Sequence, residues 1–144
     1  MPYSSHHSGE DSLTENQPRV QPSEQSQLDF ELDFFGGILE RSPDYVDVLR
    51  VMSNNLALKG RYAQGLAIDK RIVALRPHDP LAHYNLACSY ALTKRAELSL
   101  ITLRRAIELG YRDFRYMRED RDLDLIRNDP RFRQLLCEYE NQEK

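Results

Sequence analysis

The sequence predicts an all-α fold, a short solenoid of antiparallel helix pairs, and three observations carry that expectation. Two stretches repeat at an offset of 34 residues: Pro77 closes the first, Tyr111 ends the second, and 111 − 77 = 34. Met52 then matches Leu86, Ser53 matches Ala87, Leu56 matches Tyr90 and Leu75 matches Leu109. A period of about 34 residues, with small residues where two helices must touch, marks stacked helix–turn–helix units. Apolar residues also recur at spacings of three and four from Leu28 onward, the signature of helical faces. Finally, Pro, Gly and Asp fall between the periodic stretches, where helices start and stop.

Residues 1–27 are expected to be a disordered tail. Ser, Gln, Glu, Pro and His dominate, and Tyr3, Leu13 and Val20 are isolated, so the segment cannot bury enough surface to offset its ordering entropy. A folded domain over 28–140 follows, with 141–144 as a frayed end. Leu28, Leu32, Phe35, Ile38 and Leu39 form one helical face that Phe30 and Phe34 widen, so 28–42 reads as a helix. Gly36 and Gly37 inside it weaken it by about 1 kcal/mol each relative to Ala, and signal either a close helix approach or a kink. Ser42-Pro43 ends it, since the residue before Pro avoids the α region.

The first full unit spans 46–79. Asp44 is a candidate cap for a helix over about 45–58, Gly60 its stop, and 62–75 the second helix. The second unit spans 80–113. Asp79 caps it with Pro80 at the first helical position, and its helices cover about 80–93 and 96–109, with Gly110 suited to a left-handed end. The period then fails. Residues 113–119 and 121–127 read as short helical turns, and Asp129-Pro130 starts a last helix with Phe132, Leu135, Leu136 and Tyr139 on one face.

Charge and composition exclude several functions. Residues 1–27 hold four acids (Glu10, Asp11, Glu15, Glu24) and Arg19; the remainder then holds 19 acids and 19 bases, a net of zero. Nucleic acid needs a basic stripe, so it is not the expected ligand. No apolar run reaches the roughly 18 residues that span a bilayer, and no basic-then-apolar leader is visible. Cys88 and Cys137 lack a CxxC spacing, which fits a reduced, cytoplasmic protein.

The two units resemble tetratricopeptide repeats. The second reads Tyr84-Asn85-Leu86-Ala87, then Tyr90, Ala96, Ser99, Leu103, Ala106 and Leu109; the first reads Met52-Ser53, Leu56, Gly60, Tyr62, Gly65, Ile72, Leu75 and Pro77. Ser53, Gly65, Ala87 and Ser99 are the small residues that let paired helices approach. Departures are Asp69 in place of a large apolar residue, Lys94 in place of the inter-helix Gly, and Tyr111 in place of the closing Pro. Pro43 lies one period before Pro77, so 28–42 resembles the second helix of a degenerate earlier repeat. The stretch from Gly110 through Asn128-Asp129-Pro130 to Leu136 is similar to tails that close bacterial repeat arrays, which makes 114–140 a cap. The resemblance covers about residues 28–140 and implies a right-handed solenoid whose end units need covering. Loss of residues 113–144 is expected to unfold or aggregate the chain.

What the resemblance implies for function is partner binding. In the family the first helix of each pair lines a concave groove. Those positions correspond here to Asp47, Arg50, Asn54, Ala57 and Leu58, and to Leu81, Tyr84, Asn85, Cys88 and Leu92. Some relatives grip a peptide carboxylate with a base and an Asn from one repeat and an Asn from the next; Arg50, Asn54 and Asn85 match those places. Arg115 or Arg118 could stand in for bases of a missing third repeat. The expected function is a module that docks a partner's peptide or helix, with neither cofactor nor metal. The alternative is a homo-oligomer built on exposed apolar helix faces such as Phe30 and Phe34, so the chain is expected to be a monomer or weak homodimer.

Catalysis finds no candidate: no nucleophile elbow, phosphate-cradling loop or HExxH is present. His78, Asp79 and His83 read as turn and surface residues. Asp120, Asp122, Asp124 and Asn128 lack the Gly and Glu a calcium loop needs, since Leu125 and Arg131 stand there. Arg112, Arg115, Arg118, Arg121, Arg127, Arg131 and Arg133 interleave with six acids, the pattern of a salt-bridged cap or, alternatively, of a basic groove for an acidic peptide.

Overall fold

The computed structural model describes residues 22–142, and every regular element among them is helical. In order these are α1 (Pro22–Arg41), α2 (Val46–Leu58), α3 (Tyr62–Leu75), α4 (Pro80–Leu92), α5 (Ala96–Glu108) and α6 (Phe114–Glu119). A 3-10 turn (Arg121–Leu123), α7 (Asp124–Arg127) and α8 (Pro130–Gln142) complete the chain. The fold is all-α, as the periodicity predicts. The chain divides into two compact units, one up to Ile68 and one from Asp69.

In the first unit α1 packs on α2. The helix α1 starts at Pro22 rather than Leu28, so residues 22–27 are not part of a disordered tail; residues 1–21 and 143–144 lie outside the described residues. Local physics explains the extension. Pro22 has its φ preset for a first helical position, Glu24 complements the helix dipole, and Gln27 Nε2 donates to Glu31 Oε2 at 2.8 Å one turn on. Glu31 also accepts from Asn55 Nδ2 of α2 at 2.9 Å, and Lys59 pairs with Asp29. The bonds from Gln27 and Asn55 hold the Glu31 carboxyl below its ordinary pKa. Leu28 is the buried contact of α1; Val46, Val48, Leu49 and Leu56 are those of α2. A Cβ on Gly36 or Gly37 would meet nothing within 4 Å, so close approach does not account for the pair.

The cap of α2 also differs from expectation. Tyr45 occupies the cap position without a side-chain bond, because Tyr45 N donates to Ser42 O at 3.2 Å and closes the turn one residue beyond Asp44. The Gly60 stop stands at φ +79°, in the left-handed region.

In the second unit α4 and α5 form an antiparallel pair whose small residues act as expected. Ala87 and Ser99 are fully buried, and Ser99 Oγ donates to Ala87 O at 2.8 Å. Asp79 caps α4 by accepting from Leu81 N at 2.9 Å and Ala82 N at 3.4 Å, with Pro80 first in the helix. Lys94 takes φ +66°, the left-handed turn position that the pattern reserves for Gly. The anomalous Asp69 is buried and accepts from the Ser89 hydroxyl, so a polar pair replaces an apolar contact.

The segment after Gly110 closes this unit. Phe114, Met117, Leu123, Ile126, Phe132, Leu135 and Leu136 are buried with Leu100, Leu103, Ala106 and Ile107 of α5 in one core. At about 1.5–3 kcal/mol for each large apolar side chain buried, the tail supplies much of the unit's stability. The 3-10 turn and α7 pack on α4, while α7 and α8 pack on α5.

Candidate functional site

The α4 residues expected to line a groove divide sharply. Leu81 is 43% exposed, and Asn85 and Leu92 are half-buried. Tyr84 and Cys88 are buried at 2% and 7%, which corrects their assignment as partner-facing residues. The chain's own tail covers them. Tyr111, standing where the closing Pro would be, stacks on the Tyr84 ring with centroids 4.2 Å apart and planes 5° apart. Beyond it Tyr84 Oη donates to Asp120 Oδ2 at 2.6 Å, and Cys88 Sγ lies 3.7 Å from the same oxygen.

Asp120 organises this contact. Its Oδ1 accepts from Asp122 N at 3.0 Å, capping the 3-10 turn, and its carbonyl accepts from Arg127 Nη2. Asp113 caps α6 in the same way, accepting from Tyr116 N at 3.0 Å. Burial pushes the Tyr84 phenol well above its ordinary pKa, and the neighbouring Cys88 and Asp120 add to that. Burial likewise raises the Cys88 thiol, with Asp120 and Asp122 beside it, and lifts Tyr111 to about 12, with Asp113 reinforcing the shift. A thiol held in this way is a poor nucleophile. Asp120 is the residue whose role sequence reasoning missed, having weighed it as a cation ligand and as one acid of a salt-bridged cap. The available signal was its place between two short helical turns, at a cap position.

The arginine series is largely spent on ion pairs. Arg115 Nε lies 3.6 Å from Glu119, Arg118 forks onto Glu140 with one bond at 2.8 Å, and Arg127 Nη2 meets Asp124 at 2.9 Å. Arg131 bridges Glu97 at 2.7 Å and Asp129 at 2.9 Å. Arg115 and Arg118, expected as substitute bases for a clamp, are thus exposed but paired. Arg133 makes no direct ion pair among the described residues: it donates to the Asn128 carbonyl at 3.4 Å, and its charge helps to lower the Asp129 carboxyl.

In the first unit Asp47 and Asn54 are exposed on α2, while Arg50 and Leu58 are half-buried. The largest apolar exposure is on α1. Phe30 is 64% exposed and Phe34 54%, with their rings stacked 6.2 Å apart at 10°. Asp29, Asp33 and Glu40 follow helical spacing along one flank of that stripe; Lys59 neutralises Asp29, and Asp33 and Glu40 are exposed. Over its length α1 carries five acids and one base, Arg41.

His83 Nε2 bonds the Pro77 carbonyl at 2.8 Å, which ties the start of α4 to its own turn. Both cysteines are free, Cys88 buried and Cys137 exposed. No described helix is long and apolar enough to cross a membrane.

No protein-family model matches the chain. It is similar to a curated protein of Arabidopsis thaliana whose name marks it as chloroplastic, 30% identical over 84 residues that cover 56% of this chain and 25% of the relative. The chain therefore spans about a quarter of the length of the curated relative it matches.

Proposed function

We propose that this chain is a tetratricopeptide-like protein-interaction module without catalytic activity, and that it docks a partner's basic amphipathic helix on α1. The stacked, exposed Phe30 and Phe34 carry this reading. Paired apolar rings left in water on one helix face mark an interaction site more often than isolated ones do, and covering each contributes about 1.5–3 kcal/mol. The acidic flank selects the partner's charge. A second copy is disfavoured, because it would bring together two α1 helices that each carry a formal charge of −4 over their length, with the exposed Asp33 and Glu40 beside the rings. The α2 residues Asp47, Arg50 and Asn54 serve as a second contact in the groove reading; Tyr84 and Cys88 have no part in it.

The test is crosslinking capture from the native cell with three chains. Phe30→Ser/Phe34→Ser loses the partner, Tyr84→Phe retains it, and Arg50→Glu reports whether α2 contributes. Capture that survives the double Phe variant removes the α1 reading. Light scattering addresses the second copy: a mass that doubles with concentration in the wild type, and not in the double variant, replaces the partner reading with a homodimer. Two free thiols suit a reducing compartment, and we place the protein in the cytoplasm; imaging of the tagged full chain decides this against the chloroplast of the relative's name.

A further inference from the structure

We infer that the C-terminal cap holds a binding site for a small organic anion, independent of the α1 face. A cavity of about 310 Å³ opens between α6, α7 and α8, lined by Arg118, Arg127, Asn128, Phe132, Arg133, Leu136 and Cys137. Its size is at the lower end of small-molecule pockets, roughly 300–1,000 Å³, enough for a single ring or short alkyl chain with its head group. The apolar part is supplied by Phe132 and Leu136, both almost wholly buried. Three guanidiniums share the lining and no carboxylate does.

The state of those guanidiniums points to an acceptor that the chain does not provide. Arg118 is held by Glu140, outside the cavity lining. Arg127 is anchored through Nη2 by Asp124 and the Asp120 carbonyl, and its Nη1 is buried with no hydrogen-bond partner among the described residues. Leaving a buried donor unmatched is unfavourable, more so on a charged group, so a small turn of the Arg127 fork toward the cavity would let an incoming oxygen satisfy it. Arg133 donates only a long bond to the Asn128 carbonyl and acts on Asp129 through space without a direct ion pair, so its exposed fork can turn to an incoming anion. A planar guanidinium fork suits a carboxylate or phosphate, and the apolar wall suits a hydrophobic body. The ligand class is therefore an aryl or short alkyl group bearing one anionic head.

Cys137, exposed on the cavity lining, supplies the reporter. The rate of Cys137 alkylation by iodoacetamide is measured on the full chain with phenylacetate, phenyl phosphate, benzyl alcohol or inorganic phosphate added. Phenylacetate or phenyl phosphate slows it about tenfold at ten times the dissociation constant, the protection mass action gives for one site. The two probes distinguish a carboxylate ligand from a phosphomonoester. Benzyl alcohol and inorganic phosphate leave the rate unchanged, as each lacks one half of the chemistry. Arg133 is exposed, so Arg133→Gln keeps the fold; it weakens protection about tenfold or more, as expected for a lost charge-assisted pair. No protection by either aryl anion, protection unaltered by Arg133→Gln, or equal protection by benzyl alcohol or phosphate alone overturns the inference.

Discussion

Replacing Asp120 by Ala tests how the tail is held on α4. The substitution removes two things. The buried Tyr84 hydroxyl loses its acceptor at 2.6 Å, and an unsatisfied buried hydroxyl costs about 1–3 kcal/mol. The amide of Asp122 loses the cap acceptor at 3.0 Å, worth about 1 kcal/mol. Together Asp120→Ala should destabilise the chain by about 2–4 kcal/mol, against a total near 5–15 kcal/mol for a small domain. Tyr84→Phe removes only the donor, and costs about 1.5–3 kcal/mol for a bond to a carboxylate. The double variant is the informative one. With the hydroxyl gone, Asp120→Ala no longer orphans it, so the double should cost less than the sum of the singles by at least about 1 kcal/mol. Urea unfolding of the full chain, followed by far-UV circular dichroism, measures all three. Additivity within about 0.3 kcal/mol refutes the claim that Asp120 and Tyr84 fasten the tail to α4 as a pair.

Other predictions follow from single positions. Arg131 bonds hold the Asp129 carboxyl at a pKa of about 2, below its ordinary 3.8. A depressed carboxyl pKa adds stability above the unfolded value, and this is lost as pH falls from about 4 to 2; Asp129→Asn should flatten the melting temperature over that window. Lys94 sits at φ +66°, so Lys94→Gly should stabilise the chain by up to about 1 kcal/mol in chemical unfolding; a loss of stability contradicts the strain assignment. A Cβ at Gly65 would meet Ser53 O at 3.6 Å and Leu56 Cβ at 4.0 Å, ordinary contact distances. Gly65→Ala should therefore gain about 0.5–1 kcal/mol of helix propensity, and a destabilised variant would show that this helix contact is tighter than the geometry indicates.

Local chemistry was legible and long-range covering was not. Gly60, Asp79, Pro80 and Gly110 announce their turns because each acts on the backbone within a few residues, and all four stand where expected. The start of α1 was misplaced because Pro22, Glu24 and Gln27 look like tail composition; their helical role lies in position, which composition ignores. Tyr84 and Cys88 sit on the expected stripe of α4, yet periodicity says only that a stripe exists. What covers it is set by Asp120, 36 residues beyond Tyr84. Asp69 is the same case in miniature. It looks like a flaw in the repeat until Ser89, 20 residues on, supplies its partner. The mixture of charges in the arginine-rich tail was legible, but which guanidiniums find a direct carboxylate partner depends on the packing of α6, α7 and α8 and has no local signal.

Thiol reactivity addresses the covered face of α4 most directly. Cys137 is exposed and should react promptly with a thiol reagent under native conditions, whereas Cys88 lies beneath Asp120 and the 3-10 turn. With Cys137→Ser to isolate it, Cys88 should react only through opening of the unit, on the order of a thousandfold or more slower than Cys137 does in the wild type. Reaction of Cys88 within about tenfold of Cys137 would mean that the tail does not close on α4, and that the α4 face is open to a partner.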